Sequence, residues 1–337
     1  MRIDTSAATR IDLAGGTIDI WPLYLFHDGA QTLNAAISLR AAASLESRTD
    51  GRLVLHSDDT AQHVEVDDWT TVRDLPQLRL LGLLAHWFLT ESGDTAPTGG
   101  LTLTTRCASP AGAGIAGSSA LTVAVCAALS AWTGRHDTPE ALLQIAQNIE
   151  AQVIRVPTGL QDYRPALYGG VAALELRVDG LRRVALDLDP RELERRLVLC
   201  YTGEPHFSGT NNWDIMKRHL DGDVFIHDCF NRIRDTAATM REALNRSDWD
   251  RVALSINEEW ANRTRLAPGV TTPLIDSLIF RARHAGARAA KVCGAGGGGC
   301  LFCLIEPQDR SAVEQALHDG GARLLPFTIE DRGLIRD

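Results

Sequence analysis

The 337-residue sequence has no excess of basic residues and no apolar run long enough to span a membrane. Its cysteines do not occur in paired spacings. Its net charge of −9 argues against a general binder of nucleic acids or membrane surfaces. The first residues, Met1-Arg2-Ile3-Asp4, lead directly into mixed sequence, which is not the pattern of a signal peptide. The seven scattered cysteines are typical of reduced thiols. We therefore expect a cytoplasmic protein that binds neither nucleic acid nor membrane.

The length of the chain favours two domains over one, and its composition is ordinary for a globular protein. A charged connector follows Asp189-Pro190, so we place the domains at residues 1–190 and 191–337.

The apolar periodicity predicts helices and strands along the whole chain. We expect strands over 7–14, 32–38, 41–47, 53–57, 63–66, 100–106, 171–177, 182–188, 197–202 and 322–329, and two strands flanking a glycine loop within 289–305. We expect helices over 77–91, 119–132, 225–244, 249–263, 272–284 and 309–320, a helix that starts at 139 and runs past 150, and a loop over 155–170.

The stretch CASPAGAGIAGSSALTVAVCAALSAW, residues 107–132, passes from small residues into an apolar helical pattern. A helix that begins after such a loop presents free backbone N–H groups at the positive end of its dipole, which is a binding site for anions. Gly112, Gly114 and Gly117 allow close backbone approach. Ser118 and Ser119 supply hydroxyls that can cap the helix, bind phosphate or bind a metal ion.

The residues of this loop alone do not decide between an anion site and other kinds of glycine-rich loop. GAGIAG matches the dinucleotide-binding pattern G-x-G-x-x-G, but the following 30 residues are mostly helical and do not form the short βαβ unit that this pattern requires. No lysine follows the last glycine, which excludes a Walker A loop. A purely structural loop is the remaining alternative.

Two more glycine turns and two carboxylates complete the pattern. Gly15-Gly16 precedes Asp19, and the run 294–299 joins two apolar strands, where it fits either a ligand or a tight packing corner. Phosphoryl transfer needs a phosphate-binding loop, Mg²⁺ ligands and a carboxylate that orients or deprotonates the attacking hydroxyl. Ser119 with Glu150 could hold the metal, and Asp162 could accept the proton while Arg10 keeps it ionised. Each acidic residue alone is more simply a solvated surface charge.

Three segments in this order resemble the motifs of the GHMP kinase superfamily: RIDLAGGTID, PAGAGIAGSSA and KVCGAGGGGCLF. The resemblance extends over the whole chain. It implies an α+β, two-domain fold, with a ribosomal protein S5 domain 2-like N-terminal domain and a ferredoxin-like C-terminal domain around a central cleft. The segments LNAAI, GLQD, YGG and YTG are similar to those of the bacterial sugar-kinase branch, which includes heptose 7-phosphate kinases and L-fucokinases.

The resemblance implies ATP and Mg²⁺ as cofactors and a sugar or sugar phosphate, phosphorylated at the anomeric hydroxyl, as substrate. It implies that Ser119 and Glu150 bind Mg²⁺, that Asp162 is the catalytic base and that Arg10 is its electrostatic partner. The ATP phosphates would contact Pro110, Gly112, Ala113, Gly114, Ile115, Ala116, Gly117, Ser118 and Ser119, and the substrate would contact Gly15, Gly16, Thr17, Asp19, Gly294, Ala295, Gly296 and Gly297. A mevalonate-type kinase, a non-catalytic sugar binder and a homodimer stay open.

The sequence departs from the family pattern at two places. One extra residue lies between Gly114 and Gly117, so we expect the phosphate loop to bulge. Ile18 interrupts the usual end of the first motif, where a polar neighbour of the sugar is expected. A phosphorylated substrate would also need a cationic anchor, for which Lys217 and Arg218 are candidates, although both fit equally well as residues of a solvated helix start.

Overall fold

The computed structural model describes residues 1–93, 97, 99–156, 158–205 and 208–337, with the side chains of 208–211 excepted. Its first half places helices on a large sheet. The elements are β1 (Arg2–Ala14), β2 (Gln31–Ser47), β3 (Leu53–Ser57), β4 (Gln62–Val66), α1 (Arg79–Ser92), β5 (Leu101–Cys107), α2 (Gly117–Trp132), α3 (Pro139–Ile154), α4 (Tyr163–Tyr168), β6 (Val171–Arg177) and β7 (Gly180–Ala185). Short 3₁₀ helices lie at Leu23–Phe26 and Trp69–Asp74.

The second half places helices against a smaller sheet. Its elements are α5 (Pro190–Arg195), β8 (Leu197–Tyr201), α6 (Ser208–Leu220), α7 (Val224–Asn245), α8 (Trp249–Arg263), α9 (Pro273–His284), β9 (Ala289–Val292), β10 (Cys300–Leu304), α10 (Arg310–Asp319), β11 (Arg323–Leu324) and β12 (Ile335–Arg336), with a 3₁₀ turn at Pro307–Asp309. No helix in the described residues is both long and apolar enough to cross a bilayer.

The two sheets divide along the chain with one exception. The larger sheet runs in the order β12-β1-β2-β5-β3-β4, with β6 and β7 continuing from β2, and the smaller one runs β11-β8-β10-β9. All the strand pairs are antiparallel except β3 with β5. The exception is β12, which returns from the second half to pair with β1. The domain boundary placed at residue 190 falls at the start of α5 and stays a prediction.

Helix α2 is the central element of the first half. From Ser119 to Trp132 nearly every side chain is buried, because the helix packs between the sheet and the helices α1, α3 and α4. Thr5 donates a hydrogen bond from Oγ1 to the Ala124 carbonyl at 2.9 Å, and Trp132 Nε1 donates to Ser47 Oγ at 3.0 Å. The small residues of α2 permit this close approach to β1, and the packing fixes where the helix begins.

Most predicted elements are present, and three differ. The strands expected at 32–38 and 41–47 form the single strand β2, which crosses an irregularity opposite Ala7–Thr9 of β1. The loop expected over 155–170 contains α4, in which Pro165 lies within a short helix. The strand expected over 322–329 is reduced to β11, and the chain beyond it lies along β2 and the Leu167–Gly170 segment.

That C-terminal segment is held by backbone hydrogen bonds and by Arg40. Glu330 N–H donates to the Ala36 carbonyl, Gly170 N–H to the Glu330 carbonyl, and Leu334 N–H to the Leu167 carbonyl. Arg40 Nη1 donates to Glu330 Oε2 at 3.3 Å, while its Nε donates to Ser6 Oγ at 3.0 Å. Arg40 therefore joins β1, β2 and the C-terminal segment.

We expect Arg40→Ala to lower the free energy of unfolding by about 1.5–3 kcal/mol, because several charge-assisted hydrogen bonds are lost in a mostly buried setting. The matched control is Arg48→Ala, which removes an exposed pair with Asp50 on the same strand region and should cost less than about 1 kcal/mol. Urea unfolding followed by circular dichroism measures both. Equal losses in the two variants would contradict this assignment.

Candidate active site

The three glycine turns meet at one cavity of about 450 Å³. Thr17 and Asp19 line it from the first turn, the loop before α2 forms a second wall, and Gly294 and Ala295 reach it from the third turn. Glu150 from α3 and Asp162 from the start of α4 complete the lining. Residues more than 250 positions apart in the chain therefore contribute to the same site.

The loop before α2 has a backbone conformation that glycine favours. Gly112 and Gly114 adopt φ values of 67° and 70°, and Ala116, the N-cap residue, adopts 61° without a side-chain capping bond. A Cβ atom on Gly117 would lie 2.4 Å from Ser109 Oγ, which explains the glycine at this position. The first N–H groups of α2 therefore lie uncapped beside the cavity, as an anion site requires.

Glu150 is almost completely buried beside the start of α2. Burial raises the pKa of its carboxyl group, while contacts with the hydroxyls of Ser118, Tyr163 and Ser119 act in the opposite direction. Within the described residues, Glu150 Oε2 has no hydrogen-bond partner. A buried carboxylate oxygen without a partner, next to serine hydroxyls, is a set of donors that suits Mg²⁺.

Asp162 is fixed by a buried guanidinium group. Arg10 Nη2 lies 2.6 Å and Nε 3.1 Å from Asp162 Oδ1, while Arg10 Nη1 donates to the Gly114 carbonyl at 2.9 Å. Arg10 is buried, whereas the Asp162 side chain is 25% exposed and lines the cavity. Arg10 thus connects the carboxylate with the phosphate loop and leaves one carboxylate edge open to the cavity.

Asp19 is a fully buried carboxyl group at the wall of the cavity. Its Oδ2 accepts a hydrogen bond from the Gln161 N–H at 2.9 Å, and its Oδ1 has no partner in the described part of the chain. Burial, followed by the charge of Asp162, raises the pKa of Asp19 to about 7. Asp19 can therefore accept a hydrogen bond from a ligand hydroxyl when it is ionised.

Four buried charges lie behind the cavity. Arg263 Nη2 contacts Glu259 Oε1 at 2.6 Å and Asp12 Oδ2 at 3.1 Å. Lys291 Nζ lies 3.1 Å from Glu259 Oε2 and 3.6 Å from Asp12 Oδ2. Burial alone would raise the pKa of Asp12, but Lys291, Arg263 and Arg10 outweigh it and hold that pKa below its usual value. We call Asp12, Glu259, Arg263 and Lys291 the buried ion cluster.

The buried ion cluster is connected directly to the cavity wall. Arg263 Nη1 donates to Thr17 Oγ1 at 3.0 Å and to the Gly294 carbonyl at 2.9 Å. Thr17 belongs to the first glycine turn and Gly294 to the third, and both line the cavity. One guanidinium group therefore sets the spacing of two walls that come from opposite ends of the chain.

Two family models match the chain: the GHMP kinases N terminal domain over residues 80–170 and the GHMP kinases C terminal domain over residues 240–323. Together they cover a little over half of the sequence. The chain belongs to the GHMP kinase superfamily. It is therefore a phosphotransferase of an ATP-dependent family, and the α+β fold implied by the motifs is confirmed.

Relatives of this GHMP kinase match along its full length. It is 26% identical to D-glycero-alpha-D-manno-heptose 7-phosphate kinase of Campylobacter jejuni, covering 98% of both chains. It is 24% identical to a mevalonate kinase of Thermococcus sibiricus, covering 99% of this chain and 98% of that protein. The crystal structure of a D-glycero-D-manno-heptose 1-phosphate kinase from Bacteriodes thetaiotaomicron superposes with a TM-score of 0.80 at 23% identity, covering 99% and 98% of the two chains, respectively.

Most of the residues expected at the site of this GHMP kinase line the cavity. The lining contains Arg10, Thr17, Asp19, Pro110, Gly112, Ala113, Gly114, Ala116, Gly117, Ser118, Ser119, Glu150, Asp162, Gly294 and Ala295. Ile115 instead lies in the hydrophobic core, so its side chain is not available to a ligand. The contacts of the lining residues with nucleotide, metal and substrate stay predictions.

Four glycines expected near the substrate lie against other parts of the protein. A Cβ atom would lie 2.1 Å from the Gln31 carbonyl oxygen at Gly15, 2.2 Å from Asp12 Oδ2 at Gly16, and 2.4 Å from the Val270 carbonyl oxygen at Gly296. Gly297 similarly faces the Gly269 carbonyl. The structure therefore explains these glycines by backbone and ion-cluster packing, which is the alternative left open for the third turn.

The proposed cationic anchors form other pairs. Lys217 is exposed and pairs with Asp221, while Arg218 contacts Asp223, the N-cap residue of α7. Neither residue lines the cavity. The structure thus agrees with the alternative interpretation of both residues as part of a solvated helix.

The buried ion cluster was missed by the sequence interpretation, although the sequence contains one signal for it. The chain has only two lysines, and Lys291 is the one that stands within the apolar strand β9. A lysine in such a strand needs a buried anion. Gln161, Tyr163 and Asn212 also line the cavity. Gln161 belongs to the GLQD segment and Asn212 to a polar segment that could supply hydrogen-bond donors, but the sequence assigned neither residue to the site, and Tyr163 carried no signal.

We expect Asp19→Asn to stabilise the protein in a pH-dependent way. An unfolded aspartate has a pKa of about 3.9, so between about pH 4 and pH 7 the folded state holds a proton that the unfolded state has lost. The wild type therefore loses stability as the pH rises through this window, by up to about 1.4 kcal/mol per pH unit, and the asparagine removes that loss.

Thermal unfolding of wild type and variant at pH 5, 6, 7 and 8 measures this effect. The stability gained by Asp19→Asn should grow from pH 5 to pH 7 and then level off. The exposed Asp28→Asn is the control and should give a constant difference. A difference that is equally constant for Asp19→Asn would show that the buried carboxyl is not protonated in the folded protein.

Proposed function

We propose that this GHMP kinase transfers the γ-phosphate of ATP to a hydroxyl of a sugar or sugar phosphate, with the anomeric hydroxyl as acceptor. The observation that carries this proposal is the arrangement of Asp162, Asp19 and the uncapped start of α2 around one cavity. A carboxylate beside a phosphate site and a second, buried carboxyl group suit an acceptor with several hydroxyls. The full-length match to a heptose 7-phosphate kinase supports the same substrate class.

Asp162 would orient the acceptor hydroxyl and accept its proton. The two contacts from Arg10 fix the orientation of the carboxylate, while its open edge faces the cavity. Since Arg10 also binds the Gly114 carbonyl, a shift of the phosphate loop would move the base with it. Asp19 would accept a hydrogen bond from another hydroxyl of the acceptor and so fix its orientation.

The nucleotide phosphates would bind at the first N–H groups of α2, where the helix dipole and the loop amides stabilise negative charge. Ser119 and Glu150 would hold Mg²⁺, because Glu150 Oε2 is buried with no partner among the described residues and a cation would satisfy it. When bound, the ion would neutralise part of the negative charge of the nucleotide phosphates. We further propose that residues 1–190 and 191–337 form the two domains on either side of this cavity.

A mevalonate-type activity is the second candidate, because a mevalonate kinase also matches over the full length. A panel of aldoses, sugar phosphates and isoprenoid precursors in a coupled ADP-release assay separates the two. Turnover on a sugar or sugar phosphate supports the proposal, and turnover on mevalonate alone overturns it. ATP binding without ADP release on any acceptor would favour a non-catalytic family member.

We expect Asp162→Asn to lower kcat by about 10²–10⁴-fold, because the isosteric amide cannot accept the proton. Nucleotide affinity, measured by fluorescence titration, should change less than about threefold, since Arg10 and the loop stay in place. Asp179→Asn, in the exposed turn between β6 and β7, is the matched control and should keep full activity. Near-normal turnover in Asp162→Asn would remove Asp162 from the mechanism.

We expect Glu150→Gln to raise the Mg²⁺ concentration needed for half-maximal activity by at least about tenfold, because the amide oxygen carries no charge. The measurement is ADP release as a function of free Mg²⁺ at saturating ATP. Partial recovery at high Mg²⁺ distinguishes a metal ligand from a structural residue. A fall in kcat at an unchanged Mg²⁺ requirement would contradict the assignment.

A further inference from the structure

Three histidines come together outside the cavity. His27 follows the 3₁₀ helix Leu23–Phe26, His219 lies near the end of α6, and His227 lies in the first turn of α7. One ring nitrogen from each lies within 4.8 Å of the other two. His27 and His219 are buried, and His227 is partly buried. In the described part of the chain, this is the group of metal-ligating side chains that stands out, and the proposed kinase mechanism does not use it.

The surrounding hydrogen bonds fix which nitrogens carry protons. His27 Nδ1 lies 2.9 Å from Asn231 Oδ1, an acceptor, so His27 carries its proton on Nδ1 and keeps a lone pair on Nε2. His227 Nε2 donates to the His219 carbonyl at 3.0 Å, which leaves a lone pair on His227 Nδ1. Two of the three rings therefore have one nitrogen held by an oxygen and the other free.

His219 stands between these two rings. Its Nε2 lies 2.8 Å from His27 Nε2, so it donates to the lone pair of His27. The rings of His219 and His227 stack with centroids 3.9 Å apart. His219 Nδ1 is buried, and no hydrogen-bond partner for it exists among the described residues. Nδ1 can therefore take up the ring proton, which would free Nε2 as a ligand.

We propose that His27, His219 and His227 bind one divalent ion of the zinc class. Metal-ligating histidines typically donate one ring N–H to an oxygen and coordinate through the other nitrogen, as His27 and His227 are arranged to do. His219 would move its proton from Nε2 to the free Nδ1 and coordinate through Nε2. Three neutral imidazoles select zinc, cobalt or nickel over Mg²⁺, which prefers oxygen.

Admitting the ion requires the stacked rings of His219 and His227 to rotate apart, because a coordinated imidazole holds the metal close to its own ring plane. Zinc–nitrogen bonds of 2.0–2.1 Å in a tetrahedron separate two ligand nitrogens by about 3.3 Å. The His27–His219 nitrogens at 2.8 Å would move apart by about half an ångström, and the third nitrogen would approach from within 4.8 Å. Since the planes of His219 and His227 now meet at only 22°, side-chain rotation of at least one of these rings would have to turn its nitrogen toward the ion, and a water would occupy the fourth position.

Binding would join two segments that both reach the cavity. Ile20, seven residues before His27, and Asn212, seven residues before His219, both line it. An ion at the three histidines would therefore hold α6 against the segment after the first glycine turn. The effect on α6 can be measured without any enzymatic assay, so its test is independent of the proposed kinase reaction.

The test is a titration of the purified protein with Zn²⁺ by calorimetry, and with Co²⁺ by visible absorption. Both are done in excess Mg²⁺, which occupies oxygen sites but competes poorly for imidazole. We expect saturation at one equivalent, a Co²⁺ spectrum without the near-ultraviolet band of thiolate ligation, a rise of about 2–5 °C in the unfolding midpoint, and slower amide hydrogen exchange in residues 213–220.

The variants are chosen to separate ligation from folding. His27→Gln and His219→Gln should abolish the one-equivalent binding, and Asn231→Ala, which removes only the partner of His27 Nδ1, should weaken it by about 10–100-fold. The control is His63→Gln. His63 lies on β4 opposite His56 on β3, away from the three histidines, and this variant should bind like the wild type. Cys107→Ser controls for binding at the partly exposed thiol.

Each result decides the proposal. One-equivalent binding that is lost in the two glutamine variants and kept in the controls supports it. No saturable binding by the wild type overturns it, as does unchanged binding in the His27→Gln/His219→Gln double variant. Should a glutamine variant fail to fold, the wild-type titration and Asn231→Ala still decide, since unweakened binding in Asn231→Ala would place the ion elsewhere.

Discussion

The buried ion cluster is the constraint on which the cavity depends. Arg263 and Lys291 balance Asp12 and Glu259, and all four side chains are at most 2% exposed. Such a cluster is expensive to desolvate, and removing one member would leave an unpaired buried charge at a cost of roughly 3–5 kcal/mol. Hydrophobic side chains could fill the same space, but none could replace Arg263 as the hydrogen-bond donor to both Thr17 Oγ1 and the Gly294 carbonyl. The charges are therefore best understood as the means of fixing two cavity walls relative to α8.

The cavity concentrates features that cost stability, and the rest of the fold offsets them. Asp19 and Glu150 are buried carboxyls, each with an oxygen that has no partner among the described residues. Thr17 and Ala116 adopt left-handed backbone conformations at φ 72° and 61°, which non-glycine residues rarely do. Against this, α2 is buried along almost its full length between the sheet and three helices. A ligand that pairs with these carboxyl oxygens and with the first N–H groups of α2 would recover part of this cost on binding, because the rigid scaffold already holds the groups in place.

Features that depend on neighbouring residues, such as helix caps, were predicted well from the sequence. Contacts between residues far apart in the chain were predicted only where both residues belong to recognised motifs. Thr138 caps α3 with Pro139 at its first position, as expected, because capping depends on neighbouring residues. Arg10 lies beside Asp162, which is the pairing that the resemblance implied. In contrast, α4 was missed because Pro165 and the flanking glycines suggest a loop, and only packing against β1 and α2 makes that segment helical. Arg263 and Asp12 are separated by 251 residues, so their contact has no local signal.

The extra residue between Gly114 and Gly117 is accommodated in the loop without displacing the start of α2. Ile115 enters the hydrophobic core, its carbonyl accepts the Arg10 N–H at 3.0 Å, and the Gly114 carbonyl accepts from the Arg10 side chain. These attachments fix the loop on the side facing β1, and Ala116 absorbs the added length in a left-handed conformation that costs about 1–2 kcal/mol. The helix consequently begins at Gly117, with Ser118 and Ser119 in its first turn. The backbone strain lies at Ala116, before the helix starts, so the first N–H groups of α2 and the hydroxyls of Ser118 and Ser119 still lie beside the cavity.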